Sequence, residues 1–130
     1  MRAFAAAAFT GALLANAAAC AADAPVSFTN DLLPILTQHC FMCHVQGAEQ
    51  GSLSLYPESW SQLVGVPATE AKMKRVEPGA PERSYLYLKL MGTQAAAGGS
   101  GARMPIQQDP LGEKELDLFK RWISEGAAQN

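Results

Sequence analysis

The chain has 130 residues, 48% of them hydrophobic and 17% charged, with ten basic against twelve acidic side chains and a formal net charge of −2. This is the composition of an ordinary globular domain; it excludes a disordered or collagen-like chain, and the absence of any basic excess leaves a nucleic-acid or acidic-membrane partner without electrostatic footing. Three cysteines neither pair off completely nor make a disulfide scaffold, so at least one of them has another use.

Arg2 followed by the uncharged, alanine-rich run Ala3 to Ala19 and the small residues around Ala17 to Ala22 reads as a secretory signal. The run is short and weakly hydrophobic for a membrane span, so the expectation is cleavage after Ala22, with residues 1–22 as signal peptide and 23–130 as one exported domain without a transmembrane span. Cleavage there discards Cys20 and leaves nine basic against twelve acidic residues. The alternative, a cut before Cys20, resembles lipoprotein processing and would put a lipid anchor on that cysteine, although Ala17 stands where the usual lipobox has leucine. A mature chain of this size supports one modest core and would profit from something to wrap around.

Along the mature part, Ser27 to Cys40 carries Leu32, Leu33, Ile35 and Leu36 at helical spacing, with Thr29 or Asn30 as N-cap and Pro34 in the first turn. Gly47 to Gly51 is a loop and Leu53 to Leu55 a brief extended piece. Pro57 and Gly65 bracket a second short helix that packs Trp60 and Leu63. After a polar stretch, Pro81 opens a third helix with Tyr85, Leu86, Leu88 and Leu90, ending at Gly92; Thr93 to Gly101 is a patternless loop. The last helix runs from Glu113 to about Glu125, acidic at its start, apolar at Leu116, Phe119, Trp122 and Ile123, and stopped by Gly126. The expected class is all-α, about four short helices joined by long loops, with Leu116, Phe119 and Ile123 meeting Leu32, Leu33 and Leu36.

Cys40-Phe41-Met42-Cys43-His44 is Cys-x-x-Cys-His, the attachment signature of a c-type haem. Two thiols two residues apart on a tight turn match the two vinyl groups of one macrocycle, and the following histidine is carried under the iron. The competing readings fare worse. A zinc site wants four separated ligands, and His39 and His44 crowd the same turn. A redox Cys-x-x-Cys pair would follow a strand in a βαβ context that is missing here, and a disulfide across two residues is geometrically awkward.

With His44 on one face, the opposite iron ligand must come from elsewhere. His39 is tied to the same side, so methionine is the remaining usual donor. Among Met42, Met73, Met91 and Met104 the favoured one is Met104, preceded by the flexible Gly98 to Gly101 and followed by Pro105. Met42 lies in the attachment turn, Met91 reads as helix core, and Met73 lies among charges and reads as solvent-facing.

These motifs, with Asp31 to Leu36, Val76-Glu77-Pro78-Gly79, Arg103-Met104-Pro105 and the ending Trp122 to Ala127, give the chain a resemblance to the single-haem class I cytochrome c domain, in the bacterial branch called planctomycete-type cytochrome c. The resemblance spans nearly all of Ser27 to Ala127. It implies a small cytochrome c fold around one covalently bound haem c, thioether bonds at Cys40 and Cys43, axial ligation of iron by His44 and Met104, and the first helix packed across the last.

The functional expectation is a periplasmic electron carrier, not an enzyme, that exchanges single electrons with redox protein partners, since two filled axial positions leave no open site for substrate. A haem-based sensor or small-ligand binder with a displaceable Met104, and a cytochrome subunit of a larger periplasmic oxidoreductase, are the alternatives. Phe28, Trp60, Tyr85, Tyr87, Phe119 and Trp122 read as core and pocket wall. Arg103 is either a partner for a haem propionate or a solvated side chain. Lys72, Lys74, Arg75 and Lys89 read as an ordinary solvated face, with a docking patch for an acidic partner as the sharper reading.

Overall fold

A computed structural model describes residues 24–45 and 50–130; the expected signal segment, with both of its cleavage sites, lies outside the described residues. Four α-helices follow one another: α1 (Leu33–His39), α2 (Ser59–Leu63), α3 (Tyr85–Met91) and α4 (Glu113–Ser124). Single 3₁₀ turns at Pro81–Arg83 and Gln94–Ala97 precede and follow α3. No strand forms among the described residues, and the domain is all-α as expected. Among the described residues no helix is long and apolar enough to cross a membrane.

The first helix begins earlier than its pattern suggested. Its cap is Ser27, not Thr29 or Asn30: Ser27 Oγ accepts from Asn30 N at 3.1 Å, and Asp31 Oδ2 accepts from Ser27 N at 2.8 Å. A wide π turn over Phe28–Leu32 leads directly into α1, closed by Leu33 N donating to Phe28 O. Pro34 therefore stands in the first turn of α1, where no donor is asked of it. The wide turn adds a residue to the helical path and rotates the face that follows. Ile35 consequently joins the core, while Leu33, expected there, is only half-buried outside it.

α4 packs against the π turn and against α3, and burial concentrates where they meet: Leu32, Leu36, Phe119, Trp122 and Ile123 are shielded from solvent, and the Phe28 and Trp122 rings lie 5.4 Å apart. Leu116 packs at the margin of this cluster. Gly112 precedes α4, and Glu115 Oε2 accepts its N–H at 2.9 Å, so a first-turn carboxylate serves the helix start. Beyond Gly126 the chain turns back: Ala127 N donates to Trp122 O, and Trp60 and Trp122 donate their indole N–H groups to Ala127 O and Ala128 O. Asn130 then holds the residues before α1, accepting from Thr29 N and Phe28 N.

α2 is shorter than expected, with Tyr56 to Glu58 forming turns ahead of it; Leu63 is buried and Gly65 ends the run at φ +76° as a left-handed cap. Residues 66–75 form a loop closed by Arg75 N to Val66 O and Ala68 N to Met73 O, at 2.7 and 2.9 Å.

Candidate functional site

α1 ends at Cys40, whose N–H still donates to Leu36 O at 2.9 Å; Cys43 N and His44 N both return to Cys40 O, at 3.1 and 3.0 Å. One tight turn therefore carries both sulfurs and the imidazole. The next constraint comes from the extended piece: Leu55 N donates to His44 O at 2.7 Å, and His44 Nδ1 lies 3.1 Å from Leu53 O. A carbonyl can only accept, so Nδ1 carries the hydrogen and Nε2 is the basic nitrogen left for another partner. This is the arrangement by which an outer carbonyl orients a metal-ligating histidine.

His44 and Cys43 line a cavity of about 400 Å³, within the range of roughly 300–1,000 Å³ common for small-molecule and cofactor sites. Met104, sixty positions on, lines the same cavity. Its N–H donates to Lys89 O at 2.9 Å, which ties the methionine to α3, and the Met104–Pro105 peptide is cis. Apolar wall comes from Leu53, Leu63, Leu86 and Ile106. Cys40 stands on the same turn, half-buried against the core rather than on the wall. Burial, reinforced by neighbouring Cys43, pushes its thiol up to about 11. That keeps Cys40 un-ionised at neutral pH, opposite to the lowered values of nucleophilic cysteine pairs.

The other methionines do not reach the cavity wall. Met42 is 84% exposed, Met91, expected in the core, is 44% exposed, and Met73, expected in solvent, is half-buried. His39 turns to the other side of its helix, with Nδ1 3.0 Å from Gln108 Oε1 and Nε2 3.6 Å from Glu115. Among the described residues no group of three or more His, Cys, Asp or Glu side chains converges as a metal cage.

Sequence reasoning missed the polar part of the wall. Of the basic residues read as one surface face, Lys72 and Lys74 are exposed, but Arg75 and Lys89 are 8% and 7% exposed and line the cavity. Arg75 Nη1 donates to Gln62 O, and Nη2 donates to Gly51 O and Ser52 O, all at 2.9 Å. Burial pulls its guanidinium below the usual value. Lys89 Nζ donates to Ser100 O at 2.9 Å and pairs with Glu70 Oε2 at 3.3 Å; Tyr85 Oη donates to the same carboxylate at 3.1 Å. Burial first, then the bond to Glu70, raises the Tyr85 phenol above its ordinary value. Arg103 is exposed, its stem lying over Gly92. A signal was available in part: Lys89 falls among Tyr85, Leu86, Leu88 and Leu90, so a cation sits inside an apolar run.

The glycine-rich loop before Met104 is shaped by this polar cluster. A Cβ on Gly99 would stand 2.4 Å from the Tyr85 ring, and Gly101 has φ +75°, with Lys89 Nζ 3.0 Å from where its Cβ would be. Glycine there lets the loop press against α3 and deliver Met104 to the cavity.

The donor set fits a c-type haem: two cysteine sulfurs and a histidine on one turn, a thioether from a distant loop on the same cavity, and a buried cation facing the space. Comparison of the chain with protein-family models, with curated proteins and with solved structures finds no match, so the site rests on its own geometry and chemistry.

Proposed function

We propose that the protein is an exported single-haem electron carrier with a small cytochrome c fold, holding haem c through thioether bonds at Cys40 and Cys43 and ligating its iron with His44 and Met104. What supports the reading above all is that the adjacent Cys43 and His44 and the distant Met104 line one cavity, with Leu53 O leaving the His44 Nε2 lone pair available. The haem would supply a one-electron couple, and a methionine and a histidine holding its iron would raise the potential relative to two histidines. The chain's own residues supply orientation and apolar surface: the Leu53 carbonyl fixes the imidazole, the Lys89 carbonyl fixes the Met104 backbone, and Leu53, Leu63 and Leu86 supply apolar wall. With His44 and Met104 both holding the iron, no ligand position would be left for a substrate, which supports a carrier between periplasmic redox partners.

Denaturing acid extraction of protein purified from its host tests the attachment: the pigment stays with the polypeptide, and a colourless polypeptide would overturn the reading. Met104→Ala removes the weak near-infrared sulfur-to-iron band of the oxidised protein; a band that persists moves the ligand to another methionine. Carbon monoxide leaves the spectrum of the reduced protein unchanged over minutes, whereas rapid, complete conversion would replace the carrier with a ligand binder.

A further inference from the structure

The loop that brings Met104 to the cavity has little of its own to hold its shape. Gly98, Gly99 and Gly101 precede the methionine, Gly98 and Gly101 at φ +77° and +75°, and glycine has more backbone freedom to lose than any other residue. The bonds that seat the loop come from α3 and the turn after it. Lys89 Nζ donates to Ser100 O at 2.9 Å, Gln94 Nε2 donates to Gly101 O at 2.8 Å, and Lys89 O accepts from Met104 N at 2.9 Å. Lys89 therefore holds the loop twice, by its side chain and by its backbone. The Tyr85 hydroxyl lies 3.2 Å from Ser100 O, but it has one hydrogen and gives it to Glu70 Oε2 at 3.1 Å. Ser100 O thus depends on the ammonium. At 7% exposure that ammonium is costly without an opposite charge, and Glu70 Oε2, 3.3 Å away on the loop of residues 66–75, supplies it.

Resting on the haem reading above, we infer that Lys89 is a positioning residue for Met104, with Glu70 as the counter-charge that keeps it buried, and that this ion pair decides whether the iron keeps its sulfur ligand or yields that position to a small external molecule. A thioether is an uncharged, weak donor, so its hold on a metal depends on how firmly the surrounding groups present it. Without the Ser100 bond, three glycines let Met104 leave the cavity. Loss of Glu70 acts at the same point, because an ammonium without its carboxylate turns towards solvent and releases Ser100 O.

The test is the rate at which carbon monoxide converts the reduced, pigment-bearing protein carrying Lys89→Met or Glu70→Gln. Lys89→Met keeps the apolar stem and loses the ammonium; conversion becomes about tenfold faster than in the wild type, the order expected on losing one bond to a charged group, and the near-infrared sulfur-to-iron band of the oxidised protein weakens. Glu70→Gln has a smaller effect of the same sign. The double variant converts no faster than Lys89→Met alone, because both changes act through one bond. Native-state hydrogen exchange reads the same latch without using the pigment: the Gly99 and Met104 amides lose protection in Lys89→Met while those of α4 keep theirs. A wild-type conversion rate or wild-type exchange at those two amides overturns the inference, and so does faster conversion with equal loss of protection in α4, which would make Lys89 merely structural. If Lys89→Met does not fold, the same results in Glu70→Gln decide in its place. Failure of the haem reading shows separately, as a colourless wild-type polypeptide after acid extraction, and the exchange at Met104 then still reads the latch.

Discussion

Two regions of this small domain are stabilised differently. Where the π turn and α3 meet α4, apolar faces interlock: Leu32, Phe119, Trp122 and Ile123 share one buried cluster with Leu36 of α1, and the polar groups at the margin are indole N–H donors with carbonyl partners. The cavity wall combines α3 and the end of α2 with loops whose carbonyls have no regular partners, and here buried cations do the joining. Arg75 gathers Gly51, Ser52 and Gln62, and Lys89 gathers Ser100 and Glu70. Helical faces carry their backbone hydrogen bonds with them and need only shape. A wall of loops must be supplied with donors, and long cationic side chains supply several at once.

The largest effect that separates the two regions is expected in the helical core. Phe119→Ala leaves a cavity at the fully buried crossing and lowers unfolding free energy by about 3–5 kcal/mol, measured by urea denaturation. Arg75→Ala should cost less, about 2–3 kcal/mol for three charge-assisted bonds set against the recovered desolvation of the cation. Native-state hydrogen exchange gives it a distinct signature: amides of residues 50–53 and 62–66 exchange faster while those of α4 keep their protection. Equal loss of protection in both regions would erase the distinction. Ser27→Ala removes the cap that starts the π turn and costs about 1 kcal/mol, again by urea denaturation, with Asn30→Ala closer to neutral because Asn30 is not the cap.

The smallest effect concerns alkaline pH. The Tyr85 phenol titrates above its ordinary value in the folded protein, so the unfolded chain deprotonates first. Its contribution to stability is complete below about pH 10, the unperturbed tyrosine value, and is lost as pH rises through the folded value. Tyr85→Phe should flatten that part of the stability–pH curve, and an unchanged slope would assign the alkaline loss to another group.

Much of the helical frame was readable from residue order. α3 and α4 stop where Gly92 and Gly126 permit a left-handed residue, α4 begins acidic, and the apolar spacing of Phe119, Trp122 and Ile123 marks the face that is buried. The start of the first helix was not readable, because Ser27, Thr29 and Asn30 are all capping residues and only the contact with Asn130 decides among them. Met91 shows the same limit. It keeps helical spacing with its apolar neighbours yet sits 44% exposed at the end of α3, so periodicity overstated its burial.

Local order in the chain determined the turn on which Cys40, Cys43 and His44 stand, since five consecutive residues at the end of a helix have few ways to arrange themselves. The neighbours of Met104 in the sequence already favoured it over Met73 and Met91, and the fold puts it on the cavity wall; tertiary structure alone decided that Arg75 and Lys89 leave the surface to complete that wall. The physical reason is distance along the chain. A turn is set by neighbouring backbone bonds, whereas the inside or outside placement of a cation depends on whether loops from elsewhere bring unpartnered carbonyls to it.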